Sequence, residues 1–391
     1  MANSYFLSGR FSQKIDRLIH DARGAWCAKF GPPLTIVSDA PAVLERISVR
    51  PPSHTVWENP LEEAYYGPGE GRAIAKHPAV SVYHLKDVSI TGNESFMFTG
   101  PHTMLRLDPS LNDHPLRKVR RPVSWLARRL DGPVLSLGSR RTENHAHFVF
   151  EHLPLVLLAR ERLGTSLPLK ILVTRGQLSW QKEYLTRLGE NPEYVVEGSR
   201  GTVFCPEVWL VPNLILAERP DIYESEIYRE IARRLKRGMQ PRRKDRSLFL
   251  TRKDAPHRRL LNEDNIFVAM RRVYPELERV SLSGMSLQNQ FELFAEARLV
   301  VGAISQAFTN VLFCVGTLCI QLVPGHRTLD NSFCVWAYNY ERLGLIHANR
   351  CLSLYANEPY PEGHRDWSFP LDALTNALER LEALENTKAQ L

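Results

Sequence analysis

The feature that most constrains the fold is an alternation of short apolar segments and amphipathic segments in the second half of the chain. Segments such as Ser247–Leu250 and Leu318–Val323 have the length of strands, whereas Asn262–Val273 and Leu287–Ala297 have helical spacing. Strands that are apolar on both faces are typical of a parallel sheet covered by helices on both sides. The alternation therefore predicts an α/β fold with a largely parallel, doubly wound sheet.

The first half of the chain shows two other patterns. Residues 76–110 alternate between apolar and polar around Gly92-Asn93, which predicts a β-rich hairpin or meander. Residues 133–212 again alternate strands with helices, and they predict a second α/β lobe. Phe11–Arg23 has helical spacing, and Gly67–Gly71 is interpreted as a turn because no clear strand precedes it.

A chain of 391 residues is long enough for two domains. We expect an N-terminal lobe over residues 1–220, a basic linker helix over 221–246 and a C-terminal lobe over 247–350. A tail over 351–391 contains leucines at helical spacing between Leu371 and Leu384, which predicts a closing amphipathic helix. Ligands of open α/β sheets bind at the carboxyl ends of the strands, so a cleft between the lobes is the expected site.

The net charge of +7 favours anionic partners. Most of the excess lies in two clusters, residues 117–121 and 233–246, which are typical of solvated linkers or helix faces; contact with an acidic membrane surface is the alternative. No basic face interleaved with aromatic residues marks a nucleic-acid reader, so nucleic acid is not an expected partner. The sequence has no signal peptide and no apolar run of about 18 residues, which predicts a cytoplasmic protein, with attachment to the inner face of the membrane as the alternative.

A cation-rich loop follows the predicted strand Ser247–Leu250. Arg252, Lys253, Arg258 and Arg259 lie within eight residues, and Asn262 stands where the next helix should be capped. Guanidinium groups bind phosphate oxygens through two N–H groups and keep their charge at every relevant pH. The loop therefore predicts a diphosphate clamp, with an ordinary exposed basic loop as the alternative.

A second candidate is the turn that Gly302 opens between a strand and a helix predicted over Ala307–Val315. Backbone N–H groups at a helix start favour an anion. Polar side chains at this turn could add hydrogen bonds to a phosphate, or could instead cap the helix and tie the loop to its own backbone. These side chains are Ser305, Gln306, Thr309 and Asn310.

The third candidate is an acid–base pair. On a helix over Asn144–Leu163, His147 and Glu151 are four residues apart and share a face. Either side chain, oriented by the other, could deprotonate an acceptor hydroxyl. A buried polar pair that holds the helix in place is the alternative. We do not expect a metal site, because no third ligand is evident.

Together, these three segments resemble glycosyltransferase family 61. Three family blocks are matched in order over about residues 80–325: the helix with Asn144, His147, Phe148, Val149, Glu151, Leu153 and Pro154; the strand end with Thr251, Arg252, Arg259, Asn262 and Glu263; and the glycine-turn block from Phe294 to Phe313. Asp-x-Asp, Walker-type, Gly-x-Ser-x-Gly and dinucleotide-binding motifs are absent.

The resemblance implies a GT-B-like fold, in which two Rossmann-like lobes face a cleft. It also implies metal-independent, inverting transfer from a nucleotide-sugar donor in the C-terminal lobe, with no cofactor besides that substrate. Glu151, or His147 supported by it, would be the catalytic base in the acceptor-side lobe. The donor would contact Thr251, Arg252, Arg259, Asn262, Ser305, Gln306, Thr309, Asn310 and Gln321. The implied acceptor is a glycan or lipid-linked glycan in bacterial surface or capsular polysaccharide synthesis.

Two positions depart from the family pattern. Ile304 replaces a histidine in the glycine turn, and Gln321 replaces a glutamate ahead of the final Leu-x-Pro. These departures motivate the alternative of a catalytically weak nucleotide-sugar-binding or scaffold protein with the same fold.

Overall fold

The computed structural model describes residues 35–37, 43–77, 79–91, 96–107, 121–122, 127–137, 144–173, 178–198, 201–212, 224–239, 243–328, 330–360 and 365–389. The chain divides into two compact units. Unit 1 comprises Met1–Ser53 and Pro78–Glu218, and unit 2 comprises His54–His77 and Arg219–Leu391. The predicted helix at Phe11–Arg23, the Gly92-Asn93 turn and residues 117–120 of the first basic cluster lie outside the described residues.

The elements up to residue 218 are mostly strands. In chain order they are β1 (Thr35–Val37), β2 (Val43–Arg50), β3 (Ser53–Glu58), α1 (Pro60–Tyr66), β4 (Arg72–His77), β5 (Val80–Thr91), β6 (Phe96–Phe98), β7 (Thr103–Leu105), β8 (Arg128–Arg129), β9 (Pro133–Ser136), α2 (His145–His147), a π turn (Phe148–His152), α3 (Leu153–Leu163), β10 (Lys170–Val173), α4 (Leu178–Leu188), a 3-10 turn (Pro192–Tyr194), β11 (Val195–Glu197) and β12 (Thr202–Leu210).

Unit 1 is built on one mixed sheet of ten strands. Its main path is β1-β7-β6-β5-β12-β9-β10-β11, with β2 added to β5 and β8 added to β12. The β12-β9-β10-β11 part is a succession of parallel strands, and β1 with β7 and β8 with β12 are further parallel pairs. The long strand β5 pairs antiparallel with β12, β2 and β6, so the β-rich and α/β segments of the sequence merge into a single sheet. The parallel pairing predicted for residues 133–212 is confirmed, and β5, β6 and β7 form the antiparallel meander predicted for residues 76–110. The sequence did not predict that the two segments share one sheet.

The remaining elements belong to unit 2. They are α5 (Ser225–Leu235), β13 (Arg246–Leu250), α6 (Glu263–Val273), β14 (Leu277–Val280), α7 (Leu287–Ala295), β15 (Ala297–Ala303), a 3-10 helix (Gln306–Phe313), β16 (Leu318–Val323), α8 (Ser332–Leu345), β17 (Arg350–Tyr355) and α9 (Leu371–Ala389).

The main sheet of unit 2 is fully parallel, as predicted, with five strands in the order β14-β13-β15-β16-β17. From β13 the chain crosses to β14 on one side, and it then returns to place β15 on the other side of β13. In doubly wound sheets this change of direction is a topological switch point, where the loops at the carboxyl ends of the two strands diverge and leave room for a ligand. The switch point of unit 2 therefore lies between the loops that follow β13 and β15.

Alternating residues of the strands supply the core on one face of this sheet. Val301, Ile320 and Leu352 pack with apolar residues of α1, α6 and α9. The closing helix predicted between Leu371 and Leu384 is confirmed, because Leu374, Leu378 and Leu381 of α9 are buried against this face. The 3-10 helix packs against both α7 and α8, and α8 also packs against β16 and β17.

A segment from the N-terminal half completes unit 2. The α1 helix contacts the edge strand β17, where the side-chain amide of Asn59 donates to the Cys351 carbonyl at 2.9 Å and the Tyr66 hydroxyl donates to the Ser353 carbonyl at 2.5 Å. These bonds occupy carbonyls that would otherwise form an open sheet edge. From the sequence we expected residues 54–77 in the N-terminal lobe and β17 in the tail. Local sequence patterns do not reveal contacts between segments so distant in the chain.

The second basic cluster is partly neutralised in the structure. Arg233 and Arg234 of α5 each pair with Glu230 at 2.6 Å, and these two partners lower the pKa of Glu230 to about 2. Ile227, Ile231 and Leu235 lie on the buried face of the same helix. Of the two interpretations of the cluster, a solvated helix face and a contact with an acidic membrane surface, this arrangement fits the first. In the described part of the chain, no helix combines the length and the apolar character that a membrane span requires.

Candidate active site

Two of the three candidate segments meet at the switch point of unit 2. The loop after β13 carries Arg252 and Arg258, and the 3-10 helix after β15 carries Thr309. Tyr340 of α8 joins them, because its buried hydroxyl lies beside the Thr309 side chain and within the electrostatic influence of both guanidinium groups. Arg258 belongs to the cationic loop predicted from sequence, whereas no sequence pattern pointed to Tyr340. Only the strand order shows that these residues are neighbours.

A buried carboxylate fixes the carboxyl end of β13. Glu263, in the first turn of α6, is 2 % exposed and accepts hydrogen bonds from the Thr251 hydroxyl at 2.5 Å and the Arg252 backbone N–H at 2.8 Å. Arg279 lies 3.7 Å from the same carboxylate. Thr251 and Glu263 therefore fix the direction in which the chain leaves the strand.

Arg252 uses two of its guanidinium N–H groups on its own loop. Nε donates to the Arg258 carbonyl at 3.0 Å, and Nη2 donates to the His257 carbonyl at 2.9 Å. Arg258 itself adopts φ 58°, in the left-handed region that is costly for a residue with a side chain. The Arg252 guanidinium thus binds the peptide carbonyls on both sides of the Arg258 Cα and holds the backbone there.

Arg259 is neutralised by an acidic residue far along the chain. Its Nε and Nη2 both donate to Asp366 Oδ2, at 2.9 and 2.7 Å, and its backbone N–H donates to Asp366 Oδ1 at 2.9 Å. This pairing raises the pKa of Arg259 and lowers the pKa of Asp366. The predicted clamp of Arg252 and Arg259 therefore has its second guanidinium committed to a carboxylate.

Asn262 occupies the N-cap position of α6, as predicted, but its side chain makes no capping bond. Its amide group instead donates to the Phe369 carbonyl at 2.7 Å and accepts from the Phe369 N–H at 3.1 Å. Asn262 therefore ties the segment before α9 to the loop after β13.

The turn at Gly302 lies between a strand and a helix, as predicted, but the helix is of a different type. A side chain at Gly302 would place its Cβ 2.8 Å from the Leu250 carbonyl oxygen, so the close approach of β13 and β15 requires glycine there. The α-helix expected over Ala307–Val315 is instead a 3-10 helix over Gln306–Phe313, all of whose last six residues are buried. Packing on every side, rather than α-helical propensity, determines this segment. The Ile304 side chain is buried, and its N–H donates to the Leu322 carbonyl at 2.9 Å.

The polar side chains of this turn lie mostly inside. Ser305 and Thr309 are buried, Gln306 is half-buried, and the Ser305 side chain makes no capping bond. Asn310 donates to the Ala307 carbonyl at 3.2 Å and to Gln290 Oε1 at 3.3 Å. For Asn310 the structure thus shows the tie to the loop's own backbone, which was one of its two predicted roles.

Gln321 lies within a buried polar cluster of unit 2. Its amide donates to the Ala337 carbonyl at 3.2 Å and to the Ser353 hydroxyl at 3.3 Å, and the residue is 2 % exposed. The Ser353 hydroxyl in turn donates to Glu341 of α8. Contact between Gln321 and a donor stays a prediction, and the contacts described here are internal.

Glu341 makes the stability of unit 2 dependent on pH. Burial, followed by the charge of Glu62, raises the pKa of Glu341 from 4.5 to about 8. The folded state then binds more protons at Glu341 than the unfolded state does between these two values, so the contribution of Glu341 to stability is largest at low pH and is lost as the pH rises towards about 8.

We expect the contribution of Glu341 to lower the melting temperature of the wild type by on the order of 10 °C between about pH 5 and 8.5, at about 1.4 kcal/mol for each pH unit and about 2–4 °C for each kcal/mol. Glu341→Gln should flatten this dependence, because the amide is neutral throughout. Thermal unfolding at stepped pH values measures the difference, with the exposed Glu379→Gln as the matched control. Equal slopes for wild type and Glu341→Gln would contradict the assignment.

The third candidate segment lies in unit 1 and contains an irregular helix turn. The helix expected over Asn144–Leu163 runs through α2, the π turn and α3, and Asn144 caps it by accepting from the N–H groups of Ala146 and His147 at 3.0 and 3.3 Å. Pro154 has no N–H and therefore cannot bond to the carbonyl four residues earlier. The Leu153 N–H bonds to the Phe148 carbonyl, five residues earlier, and this longer bond widens the turn. Such wide turns occur frequently at functional sites.

The predicted pairing of His147 and Glu151 is confirmed. His147 Nδ1 bonds to Glu151 Oε1 across the π turn, and both residues are 8 % exposed. If the carboxylate accepts from Nδ1–H, Nε2 of the neutral imidazole is a proton acceptor. The pair can thus supply a base, and it can equally act as a structural tie.

Another histidine of this helix faces an aromatic group. His145 Nε2 lies 2.8 Å from the Tyr184 hydroxyl, and its ring packs near Trp180. Burial lowers the pKa of His145 to about 4, so this imidazole is neutral at physiological pH. Its contacts are those of a residue that holds the helix against α4.

One of the comparisons with known proteins gives a match. The family model described as Glycosyltransferase 61 matches residues 145–320, somewhat less than half of the chain. The matched range includes the His147–Glu151 pair and both loops at the switch point of unit 2. A comparison with curated proteins gives no match. The family match supports the resemblance to glycosyltransferase family 61 and, with it, glycosyltransferase activity in general.

Proposed function

We propose that this protein transfers a sugar from a nucleotide-sugar donor to a hydroxyl of a glycan or lipid-linked glycan. The observation that carries the proposal is the position of the cationic loop. Arg252 and Arg258 follow the strand β13 at the switch point of a parallel sheet, where ligands of such sheets bind. No acidic residue in the described part of the chain lies within ion-pair distance of either guanidinium, so the loop offers positive charge to an anionic ligand.

The donor side of the reaction is assigned to unit 2. Departure of a nucleoside diphosphate places negative charge on the leaving phosphate, and fixed guanidinium groups stabilise that charge. The proposed donor residues are Thr251, Arg252, Arg259, Asn262, Ser305, Gln306, Thr309, Asn310 and Gln321. Of these, Thr251, Arg259 and Asn262 act by shaping the loop, because their side chains already bond to Glu263, Asp366 and Phe369.

The acceptor side is assigned to the His147–Glu151 pair of unit 1. The pair would take the proton of the attacking hydroxyl as the new glycosidic bond forms, while the nucleoside diphosphate leaves from the opposite face of the sugar. A single displacement inverts the anomeric carbon. The proposal includes no metal ion and no cofactor, and it places the reaction in bacterial surface-polysaccharide synthesis, in the cytoplasm or at the inner face of the membrane.

Mass-spectrometric detection of transfer tests the proposal. The purified chain is incubated with a panel of nucleotide sugars and with oligosaccharide or lipid-linked acceptors, and we expect one donor to give a product of increased mass with the inverted anomeric configuration. Arg258→Gln in the same assay should reduce the product strongly. The absence of transfer and of thermal stabilisation by every nucleotide sugar would reject the proposed activity.

A binding or scaffold function is the second candidate. Ile304 is apolar and buried, and Gln321 has internal hydrogen bonds, so neither brings a charge to a donor. Thermal stabilisation by a nucleotide sugar without any transfer would favour this candidate.

A further inference from the structure

The loop after β13 contains an arginine in an unusual backbone conformation. Arg258 has φ 58°, whereas a residue with a side chain normally avoids this left-handed region. Glycine would adopt it without cost. Backbone strain that persists in a folded protein needs surrounding bonds to hold it, and it occurs most often at binding and catalytic sites.

Bonds on both sides hold Arg258 in this conformation. On one side, the Arg252 guanidinium binds the carbonyls of His257 and Arg258. On the other, Asp366 binds the N–H and the guanidinium of Arg259, while the Trp367 N–H donates to the Arg259 carbonyl at 3.0 Å. The neighbouring arginines are therefore used to fix the loop.

The Arg258 side chain, unlike those of Arg252 and Arg259, does not hold the loop through hydrogen bonds or ion pairs within the described residues. Within the described residues, no carboxylate lies at ion-pair distance from its guanidinium, and no protein acceptor receives a hydrogen bond from it. The guanidinium lies over the Phe333 ring at 5.6 Å, and Phe333 packs edge-on against Tyr360 at 5.0 Å. The aromatic contact positions the charged group without neutralising it.

The electrostatic surroundings of Arg258 favour an anion. Burial and the nearby charge of Arg258 both lower the pKa of Arg252, so two like charges stand close together at this loop. A bound anion would offset that repulsion. Tyr340 and Thr309 complete the surroundings on the side of the 3-10 helix.

We infer that Arg258 is the guanidinium that grips the diphosphate of the donor, and that Arg252 and Arg259 are positioning residues for it. The inference rests on the proposed nucleotide-sugar donor for the identity of the ligand. The family resemblance implies Arg252 and Arg259 as the phosphate ligands of this loop, and the inference assigns that role to Arg258 instead.

The glycine substitution separates strain from binding. Arg258→Gly removes the guanidinium and also relieves the strained φ, so we expect an unchanged or higher melting temperature together with weaker anion binding. Inorganic pyrophosphate is the probe, because it carries the diphosphate charge without a base or a sugar, and calorimetric titration measures its affinity. We expect a loss of about 10- to 100-fold, the effect of removing one charged hydrogen-bonding group.

Ala348→Gly is the matched control. Ala348 has φ 57° in the turn after α8, so this substitution relieves a similar strain without touching the loop. It should leave pyrophosphate affinity unchanged. Arg258→Gln, which keeps the side-chain stem, should weaken pyrophosphate binding as Arg258→Gly does, and Arg258→Lys should restore part of the affinity.

A double-mutant cycle tests the positioning role. Arg252→Gln and Arg259→Gln should each weaken pyrophosphate binding in the wild type and should add little in the Arg258→Gly background, because their effect passes through Arg258.

Wild-type affinity in Arg258→Gly and Arg258→Gln, or no pyrophosphate binding by the wild type, would overturn the inference. Undiminished sugar transfer by Arg258→Gln would overturn the inference about Arg258 and leave the proposed function in place. Pyrophosphate binding that depends on Arg258, without any sugar transfer, would reject only the proposed function.

Discussion

Glu151→Gln is expected to lower kcat for sugar transfer by about 10²- to 10⁴-fold, the usual contribution of a general base. The amide keeps the size of the side chain and can still accept from His147 Nδ1, but it cannot stabilise a positively charged imidazolium. His147→Gln should cost about as much. Because the two side chains bond to each other and act as one group, the double variant should lose little more than either single variant.

Glu161→Gln is the control for this prediction. Glu161 belongs to the same helix, and its exposed carboxylate pairs with Arg50 at 3.0 Å. We expect unchanged rates for this variant. Nucleotide binding, measured by thermal shift, should remain at the wild-type level in Glu151→Gln. This result would separate loss of catalysis from loss of the folded structure. If Glu151→Gln and His147→Gln both retain wild-type kcat, the pair is a structural tie of the π turn.

Arg327→Met is expected to destabilise unit 2 by about 3 kcal/mol, because it leaves a buried carboxylate without its partner. Arg327 pairs with Glu62 of α1 and with Glu70 at 2.6 Å, and its guanidinium lies 4.5 Å from the centre of the Tyr66 ring. The Glu62 side chain is 4 % exposed and the Arg327 side chain 20 %, which places the expected loss at the lower end for a buried pair. Burial already raises the pKa of Glu62, so the loss should grow as the pH rises.

Hydrogen–deuterium exchange measures this loss locally. Peptides from α1 and β17 should exchange about 100-fold faster in Arg327→Met, whereas peptides from unit 1 should not change. Adding Glu62→Gln to Arg327→Met should recover most of the protection, since no unpaired charge is then buried. Arg271→Met, which removes an exposed guanidinium that donates to the Pro275 carbonyl and lies over the Phe267 ring, is the control. Unaltered exchange in Arg327→Met would show that the ion pairs do not hold α1 on unit 2.

Local patterns predicted the elements that depend on local spacing. The strands predicted at Ser247–Leu250 and Leu318–Val323 lie where their apolar runs placed them, and His147 pairs with Glu151 because four residues make about one helical turn. The order of the strands, and with it the switch point, depends on tertiary pairing and could not be derived from the sequence.

The candidate site shows the same limit at the level of single residues. Arg258 and Arg259 are adjacent and chemically identical, so no local pattern distinguishes them. Their difference arises from Asp366, which lies 107 residues further along and neutralises only Arg259. The backbone conformation of Arg258 was likewise invisible, because an arginine in the left-handed region has no sequence signal.

The attachment of α1 to β17 has a consequence for synthesis of the protein. Asn59 leaves the ribosome 292 residues before its partner Cys351, an interval of about 15 to 60 s at ordinary rates of translation. During that time α1 has no sheet edge to cover, and the polar groups that later bond to β17 remain in water. A nascent chain that stops before Arg350 would therefore hold a complete unit 1 sequence together with a helix whose sheet edge, β17, has not yet been made. Completion of unit 2 must then be one of the last folding events, and it joins an early segment of the chain to one of its final strands.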